Sequence, residues 1–343
     1  MLVPAGVGGG EAEPAELVAA VSELARGDGS AGWCLAVAAT SGMLAAYVPR
    51  EAAQEVYGGE GSIAGGVFAP MGRAQPQGEE GASYNVTGRW RFGSCCQHCD
   101  WLRGGCLVSE GDGLRKLESG APDIRFMLFP AAETEVIDTW NVAGLRGTGS
   151  HDFSVTEIVV PHERSASLIT DDPRCEGPLY AFPVFGLLAL SIASVGLGIA
   201  RGAIDDLVEL ATAKKPTGST RTLAQRSDTQ AAVAAAEAQV RSARALIDDA
   251  VGEAWRAASD GGEISVELKA ALRLAASHAI RSSRDAVDSM YELGGGSAIY
   301  ESSPLQRRLR DIHVATQHML VGPATWELAG RILLGQEADA SQL

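Results

Sequence analysis

The chain has few basic residues for its length. Its 343 residues include 28 Lys and Arg against 43 Asp and Glu, which gives a formal net charge of -15. A phosphate backbone or an anionic membrane surface selects proteins that carry clustered Lys and Arg. We therefore expect neither nucleic acid nor a membrane as the main partner.

Cysteine is also scarce, and a targeting signal is lacking. Six cysteines in 343 residues are far below the density of a disulfide scaffold, so unbridged thiols are expected. The N-terminus does not show the basic, apolar and small-residue order of a secretory signal. From the lack of such a signal we expect a cytoplasmic protein.

Few apolar runs are long, but the one from Ala181 to Ala200 has about the length of a membrane span. Proline, glycine and serine interrupt this run, and amphipathic helical patterns follow it. We expect a buried helix whose small residues let neighbouring backbones approach closely.

The chain divides into helical, β and helical regions. Helical spacing covers Pro14 to Arg26, and Gly-rich turns with short alternating stretches cover Ser62 to Ser167. The following pattern is Ala-rich and helical, in segments at about 184–213, 227–259, 264–293, 304–321 and 323–336. The pattern predicts an α+β protein with three regions: 1–61, 62–170 and 171–343.

A motif with polar and sulfur-containing side chains follows a predicted strand. It reads Gly-Arg-Trp-Arg-Phe-Gly-Ser-Cys-Cys-Gln-His-Cys-Asp-Trp from Gly88 to Trp101. The alternation of Tyr84 and Val86 before the turn-type Gly88 places Ser94 at the end of the strand. Strand ends are common places for active-site residues.

A second candidate lies near the C-terminus, in Arg-Asp-Ile-His-Val-Ala-Thr-Gln-His from Arg310 to His318. If 304–320 is one helix, His318 lies off its apolar stripe and too far along the axis from Asp311 for a direct hydrogen bond. Gly322-Pro323 would end the helix just after His318. A helix C-terminus favours the imidazolium form, so we expect a histidine that titrates near neutrality and assists proton transfer.

These segments resemble the acyl-CoA dehydrogenase superfamily, and within it the oxygenase components of two-component flavin-dependent monooxygenases (group D). The strand motif matches that branch at seven positions and departs at Cys95, where glycine is usual; the matches are Gly88, Trp90, Phe92, Ser94, Cys96, His98 and Trp101. The resemblance implies N-terminal helices, a middle β-barrel and a C-terminal four-helix bundle, with flavin between barrel and bundle. Relatives usually carry several dozen more residues at the N-terminus.

The resemblance also implies an activity. Reduced FMN or FAD would come from a separate NAD(P)H flavin reductase, react with O2 to a C4a-hydroperoxide, and hydroxylate a small aromatic, foremost phenolic, substrate. No Gly-x-Gly-x-x-Gly fingerprint follows a predicted strand, which agrees with the lack of a nicotinamide site. A homotetramer is expected.

The resemblance assigns residues to three roles. The candidate catalytic residues are Ser94, near the flavin N5 edge, and His318. The candidate flavin contacts are Phe92, Gly93, Ser94, Arg221, Gln230, Gly294 and Gly295. The candidate substrate-pocket residues are Trp90, Thr148 and Ser150.

The sequence also allows two alternative interpretations, a zinc site and an acyl-CoA dehydrogenase. The thiols of Cys95, Cys96, Cys99 and Cys106 with His98 suggest zinc, but Cys96 and Cys99 lack a second ligand pair, and strand alternation would separate neighbouring thiols. No metal is therefore expected. A dehydrogenase would carry a catalytic glutamate where alignment on Arg310-Asp311 places Met319, and a thioether is not a base. Oxygenation of nitrogen or sulfur, and dehydrogenation of an acyl-CoA, remain open alternatives.

Overall fold

The computed structural model describes residues 1–340 and 343. The chain forms two compact units. The sheet unit consists of Met1–Ala12, Val37–Asn141 and Thr148–Tyr180, and the helical unit consists of Glu13–Ala36, Val142–Gly147 and Ala181–Leu343. The predicted boundaries after 61 and 170 are therefore corrected, because the N-terminal region is divided between the two units.

The helices lie in the expected regions. In chain order they are α1 Pro14–Gly27, α2 Gly29–Ser41, α3 Arg50–Tyr57, α4 Pro178–Ala181, α5 Val184–Ala213, α6 Ser227–Ser259, α7 Val266–Gly294, α8 Pro304–Ala315 and α9 Pro323–Leu333. The strands are β1 Ala64–Gln77, β2 Ser83–Gly93, β3 Trp101–Glu110, β4 Gly113–Leu114, β5 Ile124–Pro130, β6 Glu135–Ile137, β7 His151–Pro161 and β8 Ser165–Ala166. The α+β class is confirmed.

Helix α1 belongs to the helical unit because its apolar stripe packs on α5. The stripe consists of buried Leu17, Val18, Val21 and Ala25. Gly198 of α5 permits the close approach, since a Cβ there would lie 2.2 Å from the Ser22 carbonyl oxygen. The prediction that small residues of α5 admit neighbouring backbones is confirmed.

Two apolar segments, Gly29–Ala46 and Val184–Ala213, are long and apolar enough to cross a membrane by length and composition. Their apolar windows are 72% and 83% buried inside the protein. Burial of this extent is usual for core helices, and it agrees with the expected burial of the run from Ala181 to Ala200.

The strands form one mixed sheet in the order β6-β7-β2-β1-β3-β5-β8, with β4 paired to β3. The β1–β3 ladder is parallel, and the other ladders are antiparallel. Trp90 of β2 and Phe129 of β5 have ring centroids 5.5 Å apart, although β1 and β3 lie between these strands. In a flat sheet β2 and β5 would be about 14 Å apart. The sheet is therefore curled around its core like a barrel, although its described hydrogen-bonded path has ends at β6 and β8.

The indole of Trp90 occupies the centre of this core. A Cβ at Gly72, Gly88 or Gly104 would lie 2.4, 2.7 or 2.4 Å from the indole ring. These glycines therefore make room for the indole, which is fully buried and stacks on Phe153 with ring centroids 5.1 Å apart.

The helix predicted over 304–321 ends earlier than expected. α8 ends at Ala315, and a separate 3-10 turn covers Met319–Val321. The intervening chain is held by other bonds: Thr316 Oγ1 donates to the His313 carbonyl, and Arg273 donates to the Leu320 carbonyl at 3.2 Å. The prediction of one helix over 304–321 is therefore wrong at its C-terminal end.

Candidate active site

Three hydroxyl groups meet where β2 ends. Ser94, the first residue after the strand, has its Oγ 2.7 Å from Ser150 Oγ, which lies 2.7 Å from Thr148 Oγ1. All three side chains are buried. The structure thus places Ser94 at a strand end and joins it to both predicted pocket hydroxyls. We call Ser94, Thr148 and Ser150 the hydroxyl cluster.

The backbone beside the hydroxyl cluster is strained. Phe92 and Cys95 have φ angles of +67° and +55°, in the left-handed region that costs a residue with a Cβ about 1–2 kcal/mol. The Cys95 N–H donates to the Thr148 carbonyl at 2.8 Å, which holds the turn against the cluster. The departure from glycine at Cys95 therefore occurs at a position where glycine would be relaxed.

An exposed aromatic pair lies beside the same turn. Phe92 is 60% exposed and packs edge to face on Trp140, with ring centroids 6.3 Å apart. Gly93 is closed in, because a Cβ there would lie 2.8 Å from the Phe153 ring. Trp90 is a core side chain whose Nε1 donates to the Gly105 carbonyl at 2.7 Å. This position does not agree with the pocket role predicted for Trp90, because a fully buried indole offers no surface to a substrate.

The cysteines of the motif lie in a turn and not on a strand, so the alternation argument made from the sequence does not apply to them. Cys96 begins a 3-10 turn, and the Sγ atoms of Cys95 and Cys99 lie 3.9 Å apart. Within the described part of the chain, no group of three or more His, Cys, Asp or Glu side chains is arranged to hold a metal ion.

In the helical unit, the turn Val142–Gly147 is held by Asp311 of α8. The Leu145 N–H donates to Asp311 Oδ1 at 2.6 Å, and a Cβ at Gly144 would lie 2.1 Å from the Arg310 carbonyl oxygen. Burial raises the pKa of Asp311, and the Leu145 N–H opposes this shift. Asp311 therefore anchors the turn, which the sequence did not indicate, and it does not bond to His318.

His318 lies in a half-buried position between α8 and the following 3-10 turn. Its ring packs edge-on against Trp33, with ring centroids 5.7 Å apart. Its Nδ1 accepts the Leu320 N–H at 3.3 Å. Arg273, buried in α7, donates to the Leu320 carbonyl and to Thr325 Oγ1.

His318 is a neutral hydrogen-bond donor in this setting. Burial, reinforced by the positive charge of Arg273, lowers the pKa of His318 to about 4. The sequence predicted His318 in the last turn of a helix, with titration near neutrality. α8 instead ends at Ala315, and the lowered pKa of the desolvated ring does not agree with that prediction. Since Nδ1 accepts the Leu320 N–H, the hydrogen of the neutral ring is assigned to Nε2.

Around His318, the sequence did not indicate Trp33 or Arg273. Trp33 lies in an apolar run, where an aromatic residue is an ordinary core candidate. Arg273 carried a usable signal, because it is a charged residue between Leu272 and Leu274 in the Ala-rich helix α7. A buried cation at such a position requires a specific set of partners.

A first prediction concerns the protonation of His318. Its folded-state pKa of about 4 is below the ordinary 6.5, so the folded protein keeps the ring neutral while the unfolded chain takes up a proton. The contribution of neutral His318 to the free energy of unfolding is complete above pH 6.5 and is lost as the pH falls from 6.5 towards 4. In an NMR titration, the Cε1–H signal, assigned with His318→Gln, should remain that of neutral histidine down to about pH 5. A midpoint near the ordinary value would contradict the assignment.

The predicted flavin-phosphate residues lie on the helical unit. Lys214, which follows α5, bonds to the two segments that hold Arg221 and Gly294. Its carbonyl accepts the Leu223 N–H at 2.8 Å, and its ammonium donates to the Gly294 carbonyl. Arg221 is exposed in the loop just before Leu223. Gly295 has a φ of +49°, and a Cβ there would lie 3.5 Å from Lys214 Nζ. Lys214 was not among the sequence candidates.

Gln230 lies in the first turn of α6 and is exposed. Its side-chain amide donates to the Ala224 carbonyl at 3.0 Å. It lines an open, mostly apolar groove of about 470 Å³ between α5 and α6, together with residues that include Arg201 and Glu237.

Comparison with known proteins decides the family. Residues 190–323 match the family model described as "Acyl-CoA dehydrogenase, C-terminal domain". The chain is 33% identical over 339 residues to an indole-3-acetate monooxygenase of Pseudomonas putida, covering 98% of this chain and 84% of that protein. The chain belongs to the flavin-dependent monooxygenases of the acyl-CoA dehydrogenase superfamily.

Two further matches agree with this assignment. This chain is 28% identical over 334 residues to the flavin-dependent monooxygenase oxygenase subunit HsaA of Rhodococcus jostii strain RHA1. The match covers 94% of this chain and 84% of that one. XiaF from Streptomyces sp., solved in complex with FADH2 and glycerol, matches with a TM-score of 0.89 and 26% identity, covering 98% of this chain and 85% of that one. The acyl-CoA dehydrogenase-like fold and the oxygenase branch predicted from the sequence are confirmed.

Each unit, taken by itself, has side chains that suit one part of a reduced flavin. The hydroxyl cluster is neutral and can donate or accept hydrogen bonds, which suits the ring heteroatoms of an isoalloxazine. The exposed Phe92 beside it offers a flat apolar surface. On the helical unit, Lys214 and Arg221 supply positive charge suited to a flavin phosphate.

Proposed function

We propose that the monooxygenase inserts one oxygen atom of O2 into a small aromatic substrate, using reduced FMN or FAD delivered by a separate NAD(P)H flavin reductase. The bound flavin supplies the electrons and the activation of O2. The protein residues supply binding, orientation and hydrogen bonds. The similarity to monooxygenases over nearly the whole chain supports this proposal.

The protonation and hydrogen bonding of His318 give the proposal its strongest structural support. A neutral imidazole whose Nδ1 is occupied by the Leu320 N–H has only its Nε2–H to offer. It therefore acts as a hydrogen-bond donor to a substrate oxygen and not as the proton acceptor expected from the sequence. Such a donor suits an aromatic compound that already carries an acceptor, such as a carboxylate, a carbonyl or a phenolic oxygen.

Acyl-CoA dehydrogenation is less well supported. It needs a carboxylate base, and alignment on Arg310-Asp311 puts Met319 at the expected position. Met319 is 70% exposed, and Asp311 is buried with its Oδ1 accepting the Leu145 N–H.

In the decisive experiment, the protein is first loaded with FMNH2 or FADH2 under anaerobic conditions. The complex is then mixed with 18O-labelled O2. Indole-3-acetate and resorcinol test aromatic hydroxylation, and an acyl-CoA tests dehydrogenation. We expect one labelled oxygen in an aromatic product. Unlabelled product, or an enoyl-CoA formed with oxidised flavin under anaerobic conditions, would contradict the proposal.

We also propose a binding site for the flavin phosphate on the helical unit, formed by Arg221, Gln230, Gly294 and Gly295, with Lys214 beside them.

We further propose that the protein is a cytoplasmic homotetramer. Exposed apolar side chains on the helical unit support oligomerisation, among them Ile299 and Leu333. The mass in solution, measured by light scattering, tests the tetramer; a monomeric mass would contradict it.

The hydroxyl cluster yields a second prediction. Ser94→Ala removes the Ser94–Ser150 hydrogen bond and any bond from Ser94 to the flavin rim, so product formed per reduced flavin should fall by about tenfold while released H2O2 rises. Product and peroxide are measured in the same single-turnover reaction. Ser154→Ala, in the neighbouring strand β7, is the matched control and should retain wild-type yield. Unchanged product and peroxide in Ser94→Ala would remove the proposed role.

A further inference from the structure

A pair of thiols lies directly beside the hydroxyl cluster. The Sγ atoms of Cys95 and Cys99 are 3.9 Å apart, and Cys99 Sγ is 3.3 Å from the Cys95 carbonyl oxygen. The His98 N–H donates to the Cys95 carbonyl at 2.8 Å, so a short turn brings the two residues together. Both sulfurs pack over Gly65, where a Cβ would lie 2.7 Å from Cys99 Sγ and 3.5 Å from Cys95 Sγ.

A buried arginine accompanies this thiol pair. Arg103 is 1% exposed, and its guanidinium donates to Ser41 Oγ and to the carbonyl of Gly66, the residue after Gly65. Within the described part of the chain it has no carboxylate partner. Burial lowers the pKa of Arg103 to about 10, and Tyr57 and the two thiols oppose that shift.

The arrangement suits oxidation of the pair. A cation without a carboxylate partner stabilises negative charge nearby, which is the charge a sulfur carries as it attacks a peroxide. The sulfurs need to approach from 3.9 Å to about 2.05 Å to form a bond. Since only three residues separate the two cysteines, the turn can close without a long-range rearrangement.

We propose that Cys95 and Cys99 form a reversible, peroxide-sensitive disulfide. One thiolate attacks H2O2, the O–O bond breaks, and the sulfur becomes a sulfenic acid while hydroxide leaves and takes up the thiol proton as water. The second thiol then attacks the sulfenic sulfur, the S–O bond breaks, and a second water leaves. In total, two thiols and one H2O2 give a disulfide and two waters.

The position of the pair connects this chemistry to the reaction. Cys95 follows Ser94 directly, and its N–H bonds to the carbonyl of Thr148 in the hydroxyl cluster. A bond between Cys95 and Cys99 would pull on this turn and so on the cluster. H2O2 is the product when a flavin monooxygenase consumes O2 without a substrate. The disulfide would therefore form during unproductive turnover, and this link to turnover rests on the proposed function.

The test uses the full-length protein and added H2O2, without flavin, so that it is independent of the proposed function. After treatment, remaining thiols are alkylated and the protein is cleaved at arginine. The peptide Phe92–Arg103, which holds Cys95, Cys96 and Cys99, should take up one alkyl group instead of three and weigh two hydrogen atoms less than the singly alkylated peptide with free thiols. Dithiothreitol added before alkylation should abolish this mass loss and restore three alkyl groups.

Single substitutions identify the pair. Cys95→Ser and Cys99→Ser should each abolish the mass loss, whereas Cys96→Ser, altered within the same turn, should retain it. A peptide that remains fully alkylated, that only gains oxygen atoms, or that needs Cys96 would overturn the proposal. If a variant fails to fold, fragmentation of the wild-type peptide decides the question, because its single alkyl group should lie on Cys96.

Discussion

Replacing His318 with alanine is expected to slow aromatic hydroxylation by about 100-fold, the usual effect of losing one directed hydrogen-bond donor in an active site. The ring is neutral, its Nδ1 accepts the Leu320 N–H, and it packs in an edge-type contact against Trp33. Alanine would remove the Nε2–H without creating a new charge. The measurement is the single-turnover rate of product formation with saturating reduced flavin and substrate.

Two companion variants separate a donor from a base. His318→Gln keeps an amide N–H but cannot act as a base, so it should recover part of the lost rate. His313→Ala is the matched control, because this histidine on α8 is exposed and bonds to Asp288 at 2.7 Å. Wild-type rates in His318→Ala, or a Gln variant as slow as the Ala variant, would contradict the donor role.

Replacing Trp90 with alanine is expected to lower the free energy of unfolding of the sheet unit by about 3–5 kcal/mol, the range for removing a large buried aromatic side chain. The indole fills the space left by Gly72, Gly88 and Gly104, and the rigid backbone of these strands cannot close the resulting cavity. Urea unfolding followed by circular dichroism gives the change.

Milder variants separate the loss of packing from the loss of the indole hydrogen bond. Trp90→Phe keeps most of the stacking on Phe153 but leaves the Gly105 carbonyl without its indole N–H, at a cost of about 1–3 kcal/mol. Phe92→Ala, on the same strand but 60% exposed, should change the stability little. A Trp90→Ala protein as stable as the wild type would contradict the core assignment.

Much of the fold was predictable because its signals are local. The alternation around Tyr84 and Val86 predicted a strand ending at Ser94, and β2 ends at Gly93. The Ala-rich periodicity predicted long helices at about 184–213 and 227–259, and α5 and α6 have those bounds. The division of the N-terminal region between two units was not predictable, because α1 depends on a distant glycine, Gly198.

The sequence by itself determined the α+β class, the strand-end position of Ser94, and the family, since each follows from short-range patterns or from motifs matched residue by residue. Tertiary structure alone decided the state of His318 and the partners of Asp311 and Cys95. Protonation and hydrogen bonding depend on groups distant in sequence: Arg273 for the histidine, Leu145 for the aspartate and Thr148 for the Cys95 N–H. Helical periodicity shows which face a side chain occupies, but the charge and solvent around it come from whatever the fold packs there.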